Sequence, residues 1–195
     1  MASITALRHV SRGRIAVELD GAPWRVVPAV AVVRAGLAVG APLERPAIRT
    51  LRRELRRDAA EDVATRALRV RDRSRHDLET RLERAAVAPG VRAETLDLLA
   101  RSGIVDDRRF AFRRAEALAE RGYGDAAIAA ALERERVPAD DRAAALAAIE
   151  PERERAARIV ARRGTGRKTA GFLAGKGFGE DAVAAAAGAD FAPDG

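Results

Sequence analysis

One regularity in the order of apolar residues limits what this chain can fold into. Leu68, Leu78, Leu82 and Val87 recur 50 residues later as Leu118, Ile128, Leu132 and Val137, and 41 residues after that as Ile159, Thr169, Leu173 and Phe178. The steps between anchors are ten, four and five residues each time, and only Thr169 is a weak anchor. Ser74, Gly124 and Thr165 fall at one aligned position between the first two anchors, and all are turn or N-cap residue types. Each unit therefore reads as three short helices joined by turns, with third helices at about 93–101, 140–149 and 180–187. A single unit buries too little apolar surface to offset an ordering cost of roughly 1–2 kcal/mol per residue. Such units are expected to stack and share a core.

The expected fold is thus mostly α. Three tandem three-helix repeats should form an elongated curved array, preceded by a small N-terminal β-hairpin or meander. The boundaries read as a β-rich region with a short helix at 1–46, a linker helix and first repeat at 47–103, a second repeat at 104–150, a third at 151–187 and a disordered tail at 188–195. Aromatic residues are only 4% of the chain against 48% hydrophobic, so the core must be built from Ala, Leu, Val and Ile. Ala, Leu, Arg and Glu are strong helix formers, which agrees with a helical chain.

At the N-terminus, Ser3 to Arg8, Gly13 to Leu19 and Trp24 to Val27 read as three short strands. Asp20-Gly21 between the last two is a hairpin signal. A short helix is expected from Ala29 to Ala35, after Pro28 and before Gly36. From Ala47 a long helix begins, with Ile48, Leu51, Leu55, Ala59, Val63, Ala67 and Leu68 expected on its buried face. Ser74 is a candidate N-cap, Pro89 and Gly90 an interruption, and Asp106 or Asp107 a cap for the following helix.

The chemistry available is narrow. There is no cysteine, which excludes disulfides, thiolate metal sites and Cys nucleophiles. Gly164-Thr165-Gly166-Arg167-Lys168-Thr169 resembles a phosphate loop but has Arg167 between Gly and Lys and follows an Arg-rich helix, so it is read as a basic helix turn. The pairs Asp106-Asp107 and Asp140-Asp141 sit at helix starts and are read as caps. His9 and His76 have no companion ligands for a metal. No catalytic constellation emerges, so the chain reads as a non-enzyme with no cofactor and no metal. Arg8, Arg12 and Arg14 interrupt any N-terminal apolar core, and no apolar run approaches the ~20 residues needed to span a bilayer, so a cytoplasmic location and no membrane partner are expected.

Net charge is +7, and every basic residue except Lys168 and Lys176 is arginine. Arginine binds phosphate and carboxylate bidentately, which suits a nucleic acid or an acidic protein surface. Arg49, Arg52, Arg53, Arg56 and Arg57 follow the spacing i, i+3, i+4, i+7, i+8 on one helix face, with Glu54 the sole acid in the run. Further candidates for partner or DNA contact are Arg73, Arg75, Arg108, Arg109, Arg162, Arg163, Arg167, Lys168 and Lys176. So few aromatics argue against sequence-specific reading of single strands by stacking.

At three places the chain resembles the RecX family, regulators of the RecA recombinase. Arg73-Ser74-Arg75 with Asp77, Leu78 and Leu82 is similar to the family's Arg-Ser-x-x-Glu-Leu segment. Gly103 to Ala111, continued by Gly122 and Leu132, resembles its stretch of Gly and an apolar pair followed by Asp and Phe-Ala. Phe172-Leu173 with Lys176-Gly177-Phe178 resembles its closing Leu-x-x-(Lys/Arg)-Gly-Phe segment. Ala86-Val87-Ala88 departs from the family's Lys/Arg-Gly-apolar turn in the first repeat. The resemblance implies three tandem three-helix repeats and binding along the groove of a RecA–DNA filament by a monomer, with inhibition of recombinase and ATPase activity. A basic DNA-binding or architectural protein that acts without a recombinase is the alternative.

Overall fold

A computed structural model of the chain describes residues 2–188. The tail expected at 188–195 lies outside them, save Gly188. Ten helices follow a three-stranded antiparallel sheet among the described residues. No helix there is long and apolar enough to cross a membrane. The described chain divides into two compact units, one made of residues up to Arg71 with Glu79–Leu99, the other of Asp72–Leu78 with the chain from Ala100 onward.

In the first unit, β1 (Ile4–Ser11), β2 (Arg14–Leu19) and β3 (Ala22–Pro28) pair in sequence order. The third strand starts two residues before Trp24, because Leu19 pairs with Ala22 across a two-residue turn. Asp20 and Gly21 there both take positive φ (48° and 80°), the backbone that a tight hairpin turn demands and that Asp-Gly adopts readily. Ser3 N–H donates to the Asp20 carboxylate and Gly21 N–H to the Thr5 hydroxyl, at 2.8 and 2.9 Å. The strand edge at β1 is covered by the returning chain, with Ile4 N–H donating to the Ala41 carbonyl and Leu43 N–H to that of Ala2. The sheet buries Ile4, Val17 and Val27 against α1 (Ala29–Arg34) and the start of α2 (Arg45–Val70), where Ala31, Val32 and Leu51 complete the core.

Helix α2 departs from the expected single stripe. Leu51 and Glu54 are buried in its first half, but Ala60, Ala64 and Ala67 are buried in its second, and Ala59 is exposed. Nine residues, two and a half turns, separate Leu51 from Ala60, so the two halves bury opposite faces.

In the second unit, α5 (Asp107–Glu120), α6 (Asp125–Arg134) and α7 (Ala139–Ala148) enclose a core of Ala111, Ala115, Leu118, Ile128, Leu132 and Val137. Helices α8 (Glu152–Arg163), α9 (Arg167–Gly175) and α10 (Glu180–Ala187) enclose another, of Ile159, Ala170, Leu173 and Phe178. The weak anchor Thr169 is also buried. On α3 (Arg75–Arg84) Leu78, of the second unit, is fully buried; of the first unit's anchors Leu82 is fully buried and Leu68 and Val87 are half-buried. Helix α4 (Pro89–Arg101) begins at Pro89 itself, a residue that tolerates the first helical position.

The turn after the middle helix recurs at the spacing of the anchors. Ala86, Arg136 and Gly177 are left-handed, at φ 56°, 56° and 76°, and stand 50 and 41 residues apart. In each turn the next N–H reaches back to the last buried leucine: Val87 to the Leu82 carbonyl at 3.0 Å, Val137 to Leu132 at 3.2 Å, Phe178 to Leu173 at 3.1 Å. This is the hydrogen-bonded helix ending that left-handed residues permit. The departure at Ala86 therefore changes the residue and keeps the turn. Arg92 and Arg142, again 50 apart, each donate to the carbonyl inside that turn, at Val87 (3.0 Å) and Val137 (2.8 Å).

At two helix N-termini in the second unit, other parts of the chain supply partners for the first N–H groups, which have none within the helix. Ser74 Oγ accepts from the Asp77 N–H at 3.0 Å, as its predicted capping role requires, and donates to the Glu135 carboxylate at 2.5 Å. Arg75 N–H, at the start of α3, donates to the Asp107 carboxylate at 2.7 Å. At the start of α6, Gly124 N–H donates to the Lys176 carbonyl (2.9 Å), Ala126 N–H to the Gly177 carbonyl (3.2 Å) and Asp125 N–H to the Glu152 carboxylate (2.6 Å). Backbones touch here: a Cβ on Gly124 would lie 2.2 Å from the Gly177 carbonyl oxygen. Thr165 does not cap α9; that position falls to Gly166.

Gly124→Ala is expected to lower the melting temperature sharply, while Gly171→Ala, on α9 with no atom within 4 Å of the added carbon, should leave it unchanged or raise it. Leu132→Ala should cost about 2–5 kcal/mol in chemical denaturation, as for other fully buried leucines.

Candidate nucleic-acid and partner interface

The structure sorts the predicted basic residues into two kinds. Arg49, Arg52, Arg53 and Arg56 are exposed along the first half of α2, opposite the face that carries Leu51. Their acidic neighbour does not balance them from the surface. Glu54 is buried and held by Arg34 at 2.7 Å and Arg57 at 3.3 Å, while Arg53 approaches only to 3.8 Å. Arg57 leaves the exposed face for this network. Its guanidinium donates to Glu94 at 2.5 and 2.8 Å, and chiefly that hydrogen bond raises its pKa further above the usual arginine value.

Three more candidates are bound into the fold. Arg73 is buried and pairs with Asp77 at 3.2 Å. Arg75 is half-buried at the start of α3. Arg109 closes the preceding loop by donating to the carbonyls of Gly103 (3.1 Å) and Ile104 (3.0 Å). Arg108 is exposed beside the Phe112 ring, at 5.8 Å from its centre. Net charge and helical spacing alone do not separate these roles, because each depends on how the neighbouring turn and first helical residues are arranged.

At the C-terminal end of the second unit, cations and rings alternate. The Arg163 guanidinium lies 4.2 Å from the centre of Phe172, Lys176 Nζ lies 5.9 Å from Phe172 and 4.0 Å from Tyr123, and Arg121 lies 5.7 Å from Tyr123. Arg121 and Tyr123 were not among the candidates; they join the ladder because the Lys176 turn packs on the start of α6. Arg162 is exposed one residue before Arg163. Arg167 and Lys168 are exposed in the first turn of α9, which carries no acid. Cations there oppose the helix dipole, so they do not serve the helix.

The acidic pairs have structural work. Asp106 caps α5 by accepting from Arg109 N–H at 2.9 Å. Asp140 and Asp141 do not cap α7; they lie inside its first turn, where the dipole favours them. Burial raises the pKa of Asp107, against the opposing effect of the Arg75 N–H it accepts. Burial likewise raises that of Asp125, although the buried Arg155 pairs with it and also donates to the Tyr123 carbonyl. Gly164 to Thr169 links α8 to α9, so the phosphate-loop lookalike has a helix where a strand would be needed. Among the described residues no group of three or more His, Asp or Glu could hold a metal ion.

No protein-family model matches the sequence, nor does any curated protein. Solved structures do match. The crystal structure of regulatory protein RecX superposes with a TM-score of 0.78 at 18% identity, covering 93% of this chain and 97% of that one. The crystal structure of RecX from Lactobacillus salivarius gives 0.57 at 17% identity, covering 67% of this chain and 93% of that one. The chain has a RecX-like fold.

Because the folded Asp107 has the higher pKa, its contribution to stability falls as pH rises from the ordinary aspartate range through the raised value. Asp107→Asn, which keeps the acceptor, should melt no lower than the parent at pH 7, with any advantage vanishing toward pH 3. Asp107→Ala should lose about 1–3 kcal/mol at both, because Arg75 N–H then lacks its acceptor.

Proposed function

We propose that this protein is a non-enzymatic regulator that binds RecA–DNA filaments and inhibits their recombinase and ATPase activities. The observation that carries the reading is a RecX-like fold over 93% of the chain bearing an exposed, unbalanced arginine face on α2. In this reading the helices are a linker helix and first three-helix repeat at 47–103, a second repeat at 104–150 and a third at 151–187, which act as a monomer in the cytoplasm. Recurrence of the same left-handed turn at Ala86, Arg136 and Gly177 supports the repeat. A filament offers a repeating target, so several modest contacts add, and arginines facing its phosphates make the binding salt-dependent.

The alternative is a basic DNA-binding protein with no recombinase partner, favoured by the net charge of +7. Two measurements separate the readings: DNA-dependent ATP hydrolysis and strand exchange by the cognate recombinase, and co-sedimentation with its DNA filaments across a salt series. Loss of both activities at stoichiometric protein is expected. Unchanged rates, together with tight binding to bare DNA, would overturn the regulator in favour of the alternative.

The triple variant Arg52→Glu, Arg53→Glu, Arg56→Glu should fold normally yet bind filaments more weakly. If these residues meet phosphates, the log–log salt slope should fall by up to about 3, close to one per lost contact. Arg109→Ala should instead reduce thermal stability and leave that slope unchanged, since its guanidinium is committed to the Gly103 and Ile104 carbonyls.

A further inference from the structure

Strand β3 contains an irregularity with an unusual occupant. Val17 pairs with Arg25 and Glu18 with Pro23, which leaves Trp24 as the extra residue of a β-bulge. Bulges redirect a side chain away from the regular alternation of a strand. Here the redirected side chain is the only tryptophan of the chain, and it is 41% exposed. The buried face of the sheet is complete without it, in Ile4, Val17 and Val27. Trp24 instead lines a cavity of about 290 Å³ whose walls are Ile48, Leu51 and Leu55 of α2 and whose cations are Arg25 and Arg52. Arg52 belongs both to the wall of this cavity and to the exposed arginine face of the same helix.

The geometry points to a stacking site for one unpaired base of single-stranded nucleic acid, with a flanking phosphate on Arg52. The inference rests on the reading of that helix face as the one that meets nucleic acid. Three features select this occupant. The flat indole ring is matched face to face by a base, whereas the carboxylate side chains of an acidic peptide carry no ring to stack on it. The guanidinium of Arg52, at the rim, is suited to hold the attached phosphate bidentately. A duplex keeps its bases paired and presents no free ring, so the strand must be single. Every base has a π-face, so a platform of this kind carries little sequence preference.

Because Trp24 is the sole tryptophan, its fluorescence reports occupancy directly. The full-length protein is titrated with a short oligothymidylate, with a duplex of equal length and with polyglutamate. Quenching that saturates with the single strand, and is much weaker with the other two, is expected. Anisotropy of a labelled oligothymidylate should show Trp24→Ala weakening binding by about 5-fold or more, the effect of losing one stacked base. Trp24→Phe should restore part of it, and circular dichroism should find both variants folded. Equal quenching by polyglutamate would overturn the proposal in favour of an acidic protein partner. Absent quenching, or unchanged affinity in a folded Trp24→Ala protein, would also overturn it. No recombinase is present in this experiment, so its failure leaves the filament reading standing, and loss of filament binding with quenching intact rejects only that reading.

Discussion

The second unit depends on helices that cannot finish their own N-termini. A helix start leaves N–H groups without partners, and burying them unpaired costs about 1–3 kcal/mol each. The α3 start finds its acceptor in Asp107 at the beginning of α5, and the Ser74 hydroxyl beside it bonds Glu135 after α6. The α6 start does the same one group later, using Glu152 at the beginning of α8 and the carbonyls of the turn after α9. Side chains make the first of these joints and backbone atoms most of the second. That difference explains why Ser74 is tolerated at one and only glycine at the other. Arg155 reinforces the second from below, buried against the Phe178 ring and bonded to the carbonyl of Glu150. Raised pKa values at Asp107 and Asp125 follow from the same burial.

Arginine serves two purposes in this chain, and the partners of each guanidinium distinguish them. Arg34, Arg57, Arg92, Arg142 and Arg155 are tied to carboxylates or turn carbonyls and hold elements in place. Arg49, Arg52, Arg53 and Arg56 are exposed, and their excess charge is left uncompensated. Exposed arginine is weakly hydrated compared with lysine and forms planar paired hydrogen bonds, so such a face is prepared for phosphate or carboxylate at little desolvation cost. The groove between α5 and the start of α8 is of mixed charge. Its lining sets Glu116, Glu120 and Glu150 against Arg155 and Arg158, so it does not extend the arginine face.

Much of this organisation could be read from residue order. The anchor spacing located the buried Leu82, Leu132 and Leu173, because its internal steps of ten, four and five recur, and Asp20-Gly21 located a hairpin, because that signal is local. What failed was information held between distant residues. The sequence around Ala59 is consistent with one apolar stripe, but the helix changes which side it buries, and only its neighbours decide that. Ala86 and Arg136 take a left-handed backbone without being glycine, since the flanking hydrogen bonds and the buried leucine before them fix the turn. Among the basic candidates, Arg73 and Arg109 carry the same charge as Arg52 and differ only in what surrounds them.

The change of buried face along α2 makes the length of that helix a fixed quantity. An inserted or deleted residue between Leu51 and Ala60 would turn everything downstream by about 100°. Ala60, Ala64 and Ala67 would swing out while bulkier neighbours took their places. Natural variation in this segment should therefore accept changes of residue type far more readily than changes of residue number. A tolerated insertion would have to come in steps near seven, which restore the phase after about two turns.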